Sequence, residues 1–355
     1  MSTRSFSAIF CFCVLGFLAS KDASASSVFQ INSGSGQLVA RNYDWYAPLG
    51  HGYIFVNKRN VLKTALNIQE TGTPARWLSR FVSLTVNQLG KEFPVGGMNE
   101  RGLVVEMIPL LCGQNSNVPA GEIVNENQFV QYFLDQFEST TDVIAHARKM
   151  KLRNDITPSH YFVCDVWGAC AIIEFMYGSM QVYGGNNASV NVLTNTMYQE
   201  GYSFYLRNKN IIVPGQTSLA RYLRLAQMIT NNYWSFDNAL AFLERVQQAD
   251  SETQTHWSVV YDSLHLKLFF RNGRTGGYRS LSLGFFDPSC KGGTQVLDLS
   301  TAGDPTASVL PYSAHLNSSI AEKNLDLNQF KPTVTEAYLQ KIADYPETQT
   351  SCLEK

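Results

Sequence analysis

Short stretches that alternate apolar and polar residues recur along most of this chain, the period-two signature of strands with a buried face. The first, Val28 to Ile31, meets a turn at Gly34–Gly36, and a second strand returns carrying Arg41 and Asp44. Tyr53–Asn57, Lys63–Ile68 and Phe81–Asn87 read as further strands. The run F-P-V-G-G-M-N-E-R-G-L-V-V-E-M-I-P-L, Phe93 to Leu110, predicts two strands with turn conformations supplied by Gly96, Gly97, Asn99 and Gly102. The period then changes. Between Asn127 and Met150, Phe129, Phe133 and Phe137 recur every four residues, and Thr140-Thr141-Asp142 predicts the cap of a second helix. Strands resume at His160–Cys164, Cys170–Phe175 and Met180–Tyr183, and the series ends near V-L-T-N, Val192 to Asn195.

A helix is expected to start near Thr217, and another to cover Asp237–Gln247. Strands at Trp257–Tyr261 and Leu266–Arg271 pair through a Leu264–His265 turn. Beyond Asp287 the chain is rich in Ser, Thr, Pro and Gly without strong periodicity, and is expected to wrap the domain. Strands, helices, strands, helices, strands: this order predicts an α+β fold of antiparallel sheets covered by helices.

Composition narrows the function classes. The 355 residues hold 28 Lys+Arg against 29 Asp+Glu, a formal net charge of −1, which leaves no electrostatic footprint for nucleic acid or an anionic membrane. With 45% hydrophobic and 12% aromatic residues the chain can bury a large core. Near the start, one basic residue, Arg4, precedes an apolar stretch from Phe6 to Ala19, shorter than the ~20 residues of a membrane span. The length disfavours the alternative, a membrane anchor. Ala23 and Ala25 occupy the small-residue positions of a signal-peptidase site. Residues 1–25 are therefore expected to be an export signal, residues 26–298 one catalytic domain, and residues 299–355 a tail. The expected location is periplasmic or secreted.

Export makes disulfides plausible for the mature cysteines. Cys164 and Cys170 flank a short turn and are expected to bridge two strands; Cys290 and Cys352 would tie down the tail, with Cys112 left over. Spacing alone does not decide this connectivity, and no pair has the C-x-x-C spacing of a metal site. No nucleotide-binding glycine motif is present, and no metal or organic cofactor is expected.

Cleavage after Ala25 would expose Ser26 with a free α-amine of reference pKa about 7.7–8.0 beside its hydroxyl. One residue would then supply both nucleophile and base. R-N-Y-D-W at Arg41–Trp45, shortly after that serine, resembles the start of the choloylglycine hydrolase family of linear-amide hydrolases, which includes bile salt hydrolases and penicillin V acylases. These are N-terminal nucleophile hydrolases, and the resemblance implies an αββα sandwich. It continues in G-M-N-E-R-G-L at Gly97–Leu103, V-L-T-N at Val192–Asn195, V-P-G-Q-T-S-L-A-R-Y-L-R at Val213–Arg224 and T-H-W-S-V-V-Y-D at Thr255–Asp262. Coverage runs from Ser26 to about Asp298. The resemblance implies Ser26 as nucleophile, Arg41 and Asp44 as the groups that position and polarise it, Asn195 as an oxyanion donor and Arg221 as the active-site arginine, with Arg224 facing solvent.

Three departures stand out. Ser26 stands where most members have Cys, Pro109 falls where the family donates a backbone N–H to the oxyanion, and the Asn195–Val213 connection is shorter. In some members that connection builds a tetramer contact, so a homo-oligomer stays open. The expected substrate is a small linear amide with an apolar acyl part: bile salts, phenoxyacetyl penicillins and N-acyl homoserine lactones all fit. A catalytically silent binding protein on the same fold, or an acyltransferase, are the alternatives.

Overall fold

The computed structural model describes residues 25–34, 36–116, 121–184, 190–231, 234–249, 253–274, 276–324 and 335–354. Of the expected export segment, only Ala25 lies within the described residues. Among these residues no helix is long and apolar enough to cross a membrane.

Two large antiparallel sheets carry the fold. The six-stranded sheet runs in the spatial order Val192–Thr194, Ser27–Ser33, Gly36–Tyr46, Thr253–Asp262, Lys267–Asn272, Arg279–Ser282. The nine-stranded sheet runs Ser179–Gly184, Cys170–Met176, Ser159–Cys164, Val104–Pro109, Pro94–Asn99, Ser83–Asn87, Tyr53–Asn57, Gln295–Asp298, Leu310–Pro311. One apolar core takes Val28, Val39 and Val259 from the first sheet and Ile54, Val104 and Phe162 from the second. Helices Tyr198–Asn208, Ser218–Asn231 and Phe236–Arg245 cover the six-stranded sheet, and Glu126–Gln136 and Thr140–Ala147 cover the other. The expected αββα layering is the observed one.

The N-terminal hairpin sits at the centre. Its register runs from Ser33 opposite Gly36 to Ser27 opposite Asn42. Gly36 adopts φ +132°, and a Cβ there would meet Leu264 at 3.0 Å, so the turn needs glycine twice over. From Gln37 to Trp45 every residue is buried. That pattern belongs to a strand covered on both faces, and it places Arg41, Asn42 and Asp44 inside the protein.

Several expectations shift. The strand expected over Lys63–Ile68 is Val61–Thr64, in a separate three-stranded sheet with Arg76–Leu78 and Thr350–Cys352. It ends because the Leu66 amide turns to the Gln128 side chain, 2.7 Å away. Gly96 and Gly97 are strand residues, not turn residues; only Gly102 has positive φ. The second helix is capped by Ser139, one residue before the expected cap, through a 3.1 Å bond from the Asp142 amide.

Helix Tyr198–Asn208 was not anticipated, although Tyr198, Tyr202 and Tyr205 share one helical face. Its Gly201 lies so close to Tyr222 that a Cβ would meet that ring at 2.7 Å. In the tail, expected to lack periodic structure, Ala314–Asn324 and Glu336–Gln349 form packed helices. Cys164–Cys170 and Cys290–Cys352 form disulfides with Cα separations of 4.1 Å and 5.6 Å, and Cys112 belongs to neither.

Candidate active site

Arg41 and Asp44 lie three residues apart on one strand, so their side chains leave opposite faces of the sheet. Asp44 faces the helix layer and Arg41 faces the second sheet. The two faces form two connected but chemically different regions.

On the Asp44 face, Arg221 is the hub. Its Nη1 donates to the Ser26 carbonyl at 2.7 Å and to the Ser27 hydroxyl at 2.5 Å, and its Nη2 donates to Asn195 Oδ1 at 3.2 Å. Asp44 Oδ2 lies 4.0 Å from Nη1. The Asp44 amide donates to the Ser26 hydroxyl at 3.4 Å. Ser26 thus meets Arg221 and Asp44 directly and Asn195 joins them through Arg221; Ser26 is 0% exposed with Ala25 still bonded to it. Arg224, one helical turn on, is only partly buried and spends its donors on Gln216 and on the carbonyls of Gly215 and Arg245.

Asp44 is fully buried, and burial pushes its carboxyl up to about 7 against the opposing pull of Arg221, Thr255 and Arg41. Thr255 donates to Asp44 Oδ1 at 2.5 Å while accepting from the Gln248 amide at 2.9 Å. This clamps one carboxylate oxygen and turns the other toward Arg221. The sequence reading quoted Thr255 in a motif without giving it a task.

Asn195 follows the short edge strand, and its amide is held from both ends. Arg221 takes its oxygen, and its Nδ2 donates to the Pro109 carbonyl at 3.0 Å. Pro109, which has no N–H to offer, enters the site as an acceptor. The chain after Asn195 is fixed by Glu174, which accepts from the Tyr198 amide at 2.8 Å and contacts His160 at 3.0 Å.

Arg41 points the other way. Its Nη1 donates to the Val95 carbonyl at 2.6 Å and pairs with Glu106, both side chains being fully buried. Its guanidinium lies 5.1 Å from the Tyr43 ring and 5.4 Å from the Trp257 ring. Glu106 has room for this because Gly96 stands opposite it across the strands; a Cβ on Gly96 would fall 2.1 Å from the carboxylate. Neither Glu106 nor the space-making role of Gly96 was found from the sequence. The usable signal was one acid, Glu106, inside an apolar strand that faces a glycine.

Beside Arg41 is a small cleft between the two sheets. Tyr43 and Trp45 wall it from the six-stranded sheet, and Val95, Met107 and Pro109 from the nine-stranded one. Pro109 therefore belongs both to the cavity wall and, through its carbonyl, to the Asn195–Arg221 group. Among the described residues no group of three or more His, Cys, Asp or Glu is placed to hold a metal ion.

The profile of the linear amide C–N hydrolases, choloylglycine hydrolase family, matches residues 26–218. This chain belongs to that family. It is a hydrolase of linear amide bonds, and the first residue of the match is Ser26. Penicillin V acylase from Agrobacterium tumefaciens superposes with a TM-score of 0.69 at 18% identity, covering 81% of this chain and 98% of that one. A mutant of conjugated bile acid hydrolase from Clostridium perfringens gives a TM-score of 0.65 at 13% identity, covering 81% and 96%. Comparison with the sequences of curated proteins gives no match. At these identities the structural likeness speaks for the shared fold.

Proposed function

We propose that this family member is an exported N-terminal serine amidohydrolase, made active by cleavage between Ala25 and Ser26. The observation that carries the reading is that Arg221, from a remote helix, and Asp44, from the paired strand, both contact Ser26, with Asn195 held to Arg221. After cleavage the Ser26 amine accepts the hydroxyl proton, directly or through water, as the hydroxyl attacks the amide carbonyl. Asn195 donates to the oxyanion. The amine departs with a proton, and water then hydrolyses the acyl-enzyme. Arg221 and Asp44 orient the Ser26 backbone and its amine, and the cavity beside Arg41 takes an apolar acyl group.

The test is turnover of a panel of N-acyl anilides by protein whose N-terminus mass spectrometry shows to be Ser26. Hydrolysis by that form, and its loss when Ala25 is retained, is the expected result. Full activity in the Ala25-extended chain would move the chemistry elsewhere. Acyl transfer to an added amine in place of water would make the enzyme a transferase. No turnover and no covalent labelling of Ser26 by a β-lactone probe would leave a binding protein, the outcome favoured by the N–H that Pro109 lacks.

A further inference from the structure

Asn195 stands where the sheet stops holding the chain. The strand before it, Val192–Thr194, has three residues at the edge of the six-stranded sheet, and its last ladder pair joins Thr194 to Ser27. The helix after it begins at Tyr198, and its cap residue, Met197, makes no side-chain capping bond. Asn195, Thr196 and Met197 therefore bridge two elements. The Thr196 hydroxyl donates to Glu200 Oε2 at 2.7 Å, a bond within the same segment that moves with it.

The cap comes from the other sheet. Glu174, on strand Cys170–Met176, accepts the Tyr198 amide at 2.8 Å, although the helix it caps lies on the six-stranded sheet. A carboxylate suits that place for two reasons: it takes an N–H the helix leaves without a partner, and its charge opposes the positive end of the helix dipole. His160 Nδ1 donates to the same Glu174 oxygen at 3.0 Å, since a carboxylate oxygen accepts. Both side chains are buried, at 0% and 1% exposure. His160 follows Ser159, the residue opposite Pro109, and the Pro109 carbonyl accepts from Asn195 Nδ2 at 3.0 Å. The nine-stranded sheet thus grips this segment at two points, the Asn195 amide and the Tyr198 N–H.

The two grips set different things. With Oδ1 on Arg221 and one Nδ2 hydrogen on Pro109, the plane of the Asn195 amide is fixed, and so is the direction of its second hydrogen. How far forward that amide stands depends on the backbone, which Glu174 holds three residues on. A misplacement of about 1 Å in a group that meets the transition state can cost about 100-fold in rate.

We propose that Glu174 is a positioning residue for amide hydrolysis: by capping the helix Tyr198–Asn208 from the opposite sheet it sets Asn195 at the oxyanion, and His160 holds its carboxylate in place. The proposal rests on the reading above that Asn195 donates to the oxyanion. Glu174 touches no reacting atom and acts through Asn195.

A double-mutant cycle on enzyme that begins at Ser26 tests it. Glu174→Met, which keeps the length and removes the acceptor, should lower kcat about 10- to 100-fold with KM within about twofold. In an Asn195→Ala background the same change should cost less than about threefold more, because its route to the reaction is already gone. Glu174→Gln keeps an acceptor oxygen in place and should hold kcat within about threefold of wild type. Glu174→Asp keeps the charge but draws the oxygen back by one methylene, and should lose about as much as Glu174→Met; it takes that variant's place in the cycle if Glu174→Met does not fold. Additive losses in the two backgrounds would overturn the proposal. So would an active Glu174→Asp beside an impaired Glu174→Gln, which would make charge the decisive property.

Labelling of Ser26 by the β-lactone probe passes through the same oxyanion and gives a second rate on which to run the cycle. Labelling without hydrolysis of any N-acyl anilide would sink the amidohydrolase reading alone, and the cycle in labelling rates would still decide for or against Glu174. Neither labelling nor hydrolysis would overturn both.

Discussion

The buried charge clusters around Lys63 and around Arg221 are built differently. Around Lys63 the parts fit tightly: its ammonium lies 2.5 Å from Glu92 and 2.8 Å from Asp135, and Asp135 also accepts from Trp77 at 2.7 Å and Gln131 at 2.9 Å. All three charged side chains are almost fully buried. Around Arg221 the fit has slack. The carboxylate of Asp44 stands 4.0 Å from the guanidinium, one of its oxygens makes no hydrogen bond among the described residues, and the Ser26 hydroxyl receives one long bond. A cluster that only holds the fold together satisfies its groups at once, because each buried unsatisfied group costs stability. A cluster that must receive a substrate and move a proton keeps some groups waiting. The difference separates scaffold from site without reference to any relative.

Four measurements would break or sharpen that contrast. The largest effect is expected at Ser26. Ser26→Ala should lower kcat by about 10⁴-fold or more, the scale of removing a nucleophile, with a stability change of no more than about 1 kcal/mol because one long hydrogen bond is removed. Residual activity within about tenfold of wild type would mean that Ser26 is part of the scaffold. Next comes Lys63→Met, which strands Glu92 and Asp135 without a cation. Denaturant unfolding should show a loss of about 3–5 kcal/mol, while kcat/KM per folded molecule stays within about twofold. A specific loss of activity at unchanged stability would erase the distinction drawn here.

Thr255→Val should come third. It frees the clamped oxygen of Asp44, so kcat should drop about 10- to 100-fold with little change in KM, and the pH–rate profile should shift. Thr255→Ser, which keeps the hydroxyl, should recover most of the loss; equal damage from both variants would point to packing instead.

The smallest effect is the pH dependence of stability. The Asp44 carboxyl is raised from 3.8 to about 7, chiefly by burial. Between those values the folded chain keeps a proton that the unfolded chain releases, so this group's contribution is complete below about pH 4 and is lost as the pH rises through about 7. Asp44→Asn should therefore show a flatter decline of Tm over that window than wild type. Parallel profiles would show that Asp44 is already ionised in the folded protein.

Much of the frame was legible in the chain because strand alternation and helix caps are local. Tyr53–Asn57 lies where the alternation puts it, and Cys164 and Cys170 pair across the turn they flank. The motif order alone pointed to the family, and the register of Arg221 over Arg224 followed from the motif. What the local pattern missed is equally specific. Helix Tyr198–Asn208 hides its signal because its polar tyrosines do not read as an apolar stripe, and its Gly201 is explained only by the close crossing of Tyr222.

The sequence by itself determined the strands, the layering they imply and the identity of the residues that could do chemistry, since each depends on neighbours a few positions away. Only the tertiary structure decided how those residues divide. It sent Arg41 to Glu106 and the cavity, and Asp44 to Arg221 and Thr255, by burying the same strand on both faces. It also made Pro109 an acceptor for Asn195, and it brought Thr255 to Asp44 across 211 residues of chain. Such pairings are set by which faces are packed together, and alternation along a strand does not encode which partner waits on either side.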